Sequence, residues 1–227
     1  MSPTSSSAEL FRTAADHIVA LVAGIPDTGW DQPALGAWTV RALVGHTGRA
    51  LSTVVEYLAR PAAQREVPTT VDYYLAVAEH TDPQSIRIRG EHAGAALGNR
   101  PLTTIRALRD RAVDAVTAVD DPLVRTAAGG MLLSDYLPTR TFELAVHGLD
   151  LARATGQPET LPAEVTRAAL HLAAELTLRR GDGEAALLAL TGRRSLPAGF
   201  TVLQERRQPT AGPGGAADRS HHSPPSS

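Results

Sequence analysis

Cysteine is absent from the 227 residues. Disulfides, a cysteine nucleophile and thiolate metal ligands from the chain are therefore excluded, and cysteine usage says nothing about redox compartment. Aromatic residues are scarce, at 4%. Alanine and leucine are abundant instead, which favours helices packed through small side chains. Excess charge is also missing: the net value is −2, which gives no reason to expect nucleic acid as a partner. No stretch approaches the ~18 apolar residues of a membrane span. The N-terminus, MSPTSSSAELFRTAADH, lacks the positive segment followed by an apolar run that marks a secretory signal. A cytoplasmic protein with no membrane partner is the expectation. No internal repeat, P-loop or dinucleotide fingerprint is present either. The length suits one sizeable core, or a main domain with a small appendage.

What the chain does have is helical periodicity, clearest in LSDYLPTRTFELAVHGLDLARATG, residues 133–156. Ser134 is placed to cap its start and Gly156 to follow its last turn. Pro138 is expected near the beginning, where a missing N–H costs little. At about 100° per residue, Phe142, Leu144, Ala145, Val146, Leu149, Leu151 and Ala152 cover most of the helix. The remaining narrow arc holds Tyr136, Arg140, Glu143, His147 and Asp150. Glu143 and His147 are four apart, so they face the same way, about 6 Å apart along the axis. A carboxylate and an imidazole on a mostly buried helix need a partner. A divalent metal with a third ligand from elsewhere would supply one; a plain Glu–His hydrogen bond is the alternative.

Three further long helices are expected at about 7–25, 39–60 and 101–119, after a loose polar end over residues 1–6. Between the first two, Trp30 and Trp38 read as plugs over the bundle end. Thr39 caps the second helix, which carries His46 at the edge of its apolar face, between Gly45 and Gly48. Those glycines permit either close helix approach or access to a site. Shorter helices follow at about 70–79 and 82–97. In the second, Arg87 and Arg89 lie on a largely solvated face and are candidates for gripping an anionic ligand or cofactor. Residues 120–133 read as a turn-rich connector with a short extended piece, tightly turned at Gly129 and Gly130. Beyond Gly156 come an amphipathic helix at 163–179 with His171 in a structural role, a short one at 184–190, and Arg193 and Arg194 in a turn that can close over a site. Phe200–Leu203 is a short strand or an ordered tail. Residues 207–227, with His221 and His222, read as disordered.

Four long helices make an all-α bundle with antiparallel neighbours, and bundles commonly hold metal between facing helices. His46 and the Glu143/His147 pair can converge there. Two imidazoles and one carboxylate suit zinc with an open position, or iron in an oxygenase. Asp150 or Asp135 are possible acceptors for an imidazole N–H.

The chain resembles the mycothiol-dependent maleylpyruvate isomerase family, whose metal-binding domain belongs to the DinB-like superfamily. The resemblance is carried by GW…AWTVRALVGH, by GGMLLSDYLPTRTFELAVHGLDLARATG and by LLALTGR…LPAGF, and it covers roughly residues 8–203. It implies a DinB-like four-helix bundle holding a divalent metal, usually zinc, through His46, Glu143 and His147. It also implies a thiol cosubstrate, mycothiol, whose sulfur takes part in isomerisation of, or S-transfer to, a small electrophile. The region after Gly156 is shorter than the second domain of the isomerase type, which contributes a substrate-binding arginine; by its place near the end, Arg193 is the candidate catalytic equivalent. The resulting expectation is a metal-binding bundle at 1–156, a reduced, mostly helical C-terminal extension at 157–206 and a disordered tail at 207–227. Two other readings stand beside the thiol-dependent enzyme: a metal-binding accessory protein without catalysis, and a thiol-independent metal enzyme of tailoring or hydrolysis. The Ala-rich helix 163–179 is expected to dock on a second copy as a homodimer.

Overall fold

The computed structural model describes residues 3–79 and 82–203. The expected disordered tail, with His221 and His222, lies outside the described residues. Among these, the order is α1 (Pro3–Ala23), α2 (Val40–Leu58), α3 (Thr70–Glu79), α4 (Pro83–Ala96), α5 (Pro101–Thr117), β1 (Leu123–Thr126), β2 (Gly129–Leu132), α6 (Leu133–Thr155), α7 (Ala163–Arg179) and α8 (Gly183–Leu190). The all-α, DinB-like bundle is what forms. The hairpin is the extended piece of the connector; its turn falls at Ala127 and Ala128 rather than at the glycines, Gly129 opens β2 at φ 124°, and Leu123 pairs with Leu132. No strand forms at Phe200–Leu203, and α1 begins at Pro3 rather than after a loose end. Among the described residues, no helix is long and apolar enough to cross a membrane.

The core is a ring of four helices in which α1 packs on α6, α6 on α2, α2 on α5 and α5 on α1. Phe11, Ile18, Leu43, Leu51, Ile105, Leu137, Leu144 and Leu151 are fully buried in it. Both tryptophans are buried as expected. The helix directions differ from a simple antiparallel alternation. Ser7 Oγ donates to the Ser134 carbonyl at 3.3 Å, and further along Ile18 lies against Gly148, so α1 and α6 run parallel. Gly48 faces Ile105 and Leu108 while Arg41 reaches the Gly98 carbonyl, so α2 and α5 are parallel too. Short loops force antiparallel neighbours. Here the α2–α5 connection contains two helices of its own, and it brings the chain back before α5 starts.

Three local readings are corrected. Ser134 does not cap α6: the cap position is Leu132, which makes no side-chain cap bond. Instead the Asp121 carboxylate, from beyond the hairpin, accepts from the Ser134 N–H and hydroxyl, both at 2.8 Å. A carboxylate at a helix N-terminus satisfies orphan donors and favours the helix dipole. Pro138 consequently lies inside the helix, where it removes the bond that would reach the Ser134 carbonyl. The Ser7 hydroxyl supplies a donor to that same carbonyl. His171 is exposed on α7, not packed.

Gly45 is a point of helix contact rather than an access route. A Cβ there would run into the Gly94 nitrogen and the Ala93 carbonyl carbon of α4, and a Cβ on Gly94 would meet Ala42 Cα at 2.8 Å. Gly48 meets only the end of a side chain, Ile105 Cδ1, at 3.0 Å. Overpacking costs roughly 1–3 kcal/mol, against a helix-propensity gain of about 1 kcal/mol for Gly→Ala. Gly45→Ala is therefore expected to lower the urea midpoint clearly, because backbone cannot yield, whereas Gly48→Ala stays near wild type. Equal midpoints for the two variants would show that α4 does not sit this close to α2.

Candidate metal centre

The polar arc of α6 faces α2. His46, Glu143 and His147 each offer one ligand atom, and the three atoms lie within 4.8 Å of one another. The His46 and His147 rings meet edge to face, with centroids 4.8 Å apart. His147 Nε2 stands 3.4 Å from Glu143 Oε2. Ligands at zinc distances around a tetrahedral ion sit about 3.4 Å apart, so this pair already has a suitable spacing. The side chains of His147 and Glu143 are 14% and 23% exposed, which leaves the site reachable by a small molecule.

Each group is held from outside. His147 Nδ1 is 3.2 Å from Asp150 Oδ2. An N–H pointing at that carboxylate leaves Nε2 as the free ligand nitrogen, the usual arrangement behind a metal-bound histidine. The Tyr74 hydroxyl donates to Glu143 Oε1 at 2.9 Å, leaving Oε2 toward His147. The His46 ring packs on Trp38, centroids 4.5 Å apart, and Trp38 Nε1 donates to the Arg87 carbonyl at 3.1 Å. His46 Nδ1 is buried and has no hydrogen-bond partner among the described residues. A buried unsatisfied nitrogen is costly, and a cation would relieve it. The donor set, the spacing and this orphaned atom all fit a divalent metal.

Of the two proposed acceptors, Asp150 takes the role. Asp135 pairs with Arg65 at 2.7 Å. Arg87 pairs with Glu91, and Arg89 donates to Ser85 Oγ at 2.9 Å on an exposed face of α4. Arg193 lies in the exposed turn after α8 and donates to the Thr191 carbonyl at 3.0 Å. The arginines whose charge reaches the triad are Arg49 and Arg140. Sequence spacing alone did not single out Arg49, Tyr73 or Tyr74. The signal for Arg49 was present, one turn after His46, but the two tyrosines come from the short helix α3, whose place in the fold no local pattern reveals.

Burial dominates the His46 ring and lowers its pKa to about 4, helped by the charge of His147. Burial opposes charge on His147 as well, but hydrogen bonds to Asp150 and Glu143 outweigh it and raise that pKa above the ordinary value. Burial works against ionised Glu143, yet His147, Arg140 and Tyr74 together hold its carboxyl below the usual range. The linkage signs follow. His147 stabilises the metal-free fold below the unfolded value of about 6.5, and that contribution is lost as pH rises through its raised folded value. Glu143 contributes above about 4.3, and this is lost as pH falls through its depressed value. His46 acts against the fold in acid, because below about 6.5 the unfolded chain takes up a proton that the folded ring refuses. In metal-free protein, NMR titration should therefore find one imidazole titrating near pH 4 and another well above the ordinary range. Two midpoints both near 6.5 would contradict the burial and pairing described.

The family model described as mycothiol maleylpyruvate isomerase N-terminal domain matches residues 11–152, a span that contains α2, all but the last residues of α6 and the whole triad. No curated protein and no solved structure matches the chain. The match covers more than half of the residues and takes in α2 and α5 whole and most of α1 and α6: the chain belongs to the mycothiol maleylpyruvate isomerase N-terminal domain family.

Proposed function

We propose that this protein is a divalent-metal enzyme that activates a low-molecular-weight thiol, mycothiol, for isomerisation of, or S-transfer to, a small electrophile. The observation that carries this reading is the convergence of His46, Glu143 and His147 from two helices within 4.8 Å, in a chain of this family. Two imidazoles and one carboxylate are a zinc-type donor set, and three protein ligands leave a position for an exogenous group. When bound, the cation supplies positive charge that lowers the pKa of a nearby thiol.

The chain's own groups do the holding. Asp150 keeps His147 in the tautomer that offers Nε2. Tyr74 fixes the Glu143 carboxylate from behind. Trp38 backs the His46 ring. In the proposed reaction the thiol proton leaves to solvent and the sulfur lone pair forms a bond to the electrophilic carbon. For isomerisation that S–C bond breaks again after the substrate has turned about its former double bond, and the thiol is regenerated. For S-transfer the bond persists and the substrate takes up one proton.

Outer partners of metal ligands are worth roughly 10–100-fold in metal affinity. Tyr74→Phe and Asp150→Asn are therefore expected to weaken zinc binding by about that factor and to keep the fold. With zinc, wild type should turn over an electrophile only when mycothiol is present, and a chelator should abolish the reaction. Turnover that continues without thiol would replace this reading by a thiol-independent metal enzyme. Metal bound at full occupancy with no turnover of any electrophile would replace it by an accessory role.

A further inference from the structure

We propose that two copies of this chain associate through the outer apolar face of α7 and α8, with their α7 helices antiparallel across a two-fold axis. The inference does not depend on the reaction given above, because this face points away from the triad.

The four most exposed large apolar side chains among the described residues all lie on these two helices. They are Leu170 at 63%, Leu178 at 61%, Leu187 at 62% and Leu190 at 85%. Helix α7 rests on α6 through Val165, Leu172 and Leu176, which are buried. The row Leu170, Ala174, Leu178 runs at intervals of four, about half a turn round from that inner face. Ala169 and Ala173, by contrast, pack against the core. The row continues onto α8. A Cβ on Gly183 would meet Leu178 Cδ2 at 2.7 Å, and Leu187 and Leu190 follow Gly183 at intervals of four and seven, on the same side of α8. After Gly183 and Glu184, α8 consists only of alanine and leucine, yet none of its residues is buried. A helix apolar all round belongs against another surface, and a contiguous apolar patch of this kind marks an interaction site.

The occupant follows from charge and composition. The chain's own end does not supply the cover: residues 204–227 contain no leucine, isoleucine, valine, methionine or aromatic side chain. A lipid surface calls for a predominantly basic rim. Here exposed Glu164, Glu175 and Glu184 alternate with Arg167 and Arg179. Mixed charge in this order suits the same face turned on itself. Across a two-fold axis near residues 171 and 172, antiparallel α7 helices set Arg167 of each copy beside Glu175 of the other, twice. The same register sets Leu170 of each copy beside Ala174 of the other, a large side chain against a small one. Such a contact is isologous and closes as a dimer.

Sedimentation of the full chain over roughly 1–100 μM tests this. A species of twice 23.9 kDa is expected at the upper end, giving way to the single chain on dilution. Leu187→Glu combined with Leu190→Glu should leave the single chain throughout with helical circular dichroism unchanged, because both side chains face solvent. Arg167→Glu alone and Glu175→Arg alone each set like charges together at both contacts, and each should raise the dissociation constant about tenfold or more. The two combined rebuild both pairs with the signs exchanged and should restore association. A single chain at every concentration would overturn the proposal. If that single chain co-sediments with vesicles of phosphatidylcholine and phosphatidylglycerol, the leucines belong to a lipid surface instead. A dimer retained in the double leucine variant would place the interface elsewhere. Failure of the double charge reversal to restore association would overturn the antiparallel register.

Discussion

Helices α2 and α6 lie antiparallel along a seam with a polar interior, and that seam constrains everything else in the molecule. At one level the rings of His46 and His147 meet. Two turns away the Tyr136 hydroxyl reaches Thr53. Between these levels lie Glu143, Arg140 and Arg49, groups that no bundle would bury without return. The seam is tolerated because the flanks are dry: Leu43, Leu51, Leu137, Leu144 and Leu151 are fully buried beside it. Apolar packing thus fixes the distance between two helices, and that distance is what brings an imidazole from one against a carboxylate and an imidazole from the other.

The elements between α2 and α5 complete the site from outside the four-helix ring. Helix α3 brings Tyr73 and Tyr74 against α6, the first beside Arg140 and the second on Glu143. Helix α4 sits so close to α2 that Gly45 and Gly94 are needed at the contact, and the same helix anchors the Trp38 indole that backs His46. The crossover that makes α2 and α5 parallel is therefore also the source of the ligand supports. A short α2–α5 loop would have given a simpler bundle whose triad lacked Tyr74 and the firm seat for Trp38.

Much of this was legible in the sequence. The four long helices, α3, α4, α7 and α8 all follow from periodicity, and their bounds shift by only a few residues. Glu143 and His147 were readable because their spacing is local. His46 could be joined to them only as one option for a bundle core until family resemblance singled it out, since nothing local links α2 to α6. What was misread depends on distant partners. Ser134 looked like a cap because its residue type favours that position, but Asp121 supplies the carboxylate from the far side of the hairpin. Pro138 looked harmless at the helix start, yet α6 begins two residues earlier than a Ser134 cap implies, and Ser7 on α1 serves the freed carbonyl. Helix direction was misjudged because the rule for short loops does not apply to a connection that folds into helices of its own.

The central claim is that the α2–α6 seam is a metal centre. It is tested most directly by the metal content of wild type, Glu143→Gln and His147→Ala, each purified without a metal-affinity tag and reconstituted with zinc. The account predicts about one divalent ion per chain in wild type, weakened binding in Glu143→Gln and loss in His147→Ala, with helical circular dichroism retained in all three. Equal metal content in the three proteins, or none in wild type after reconstitution, would contradict it.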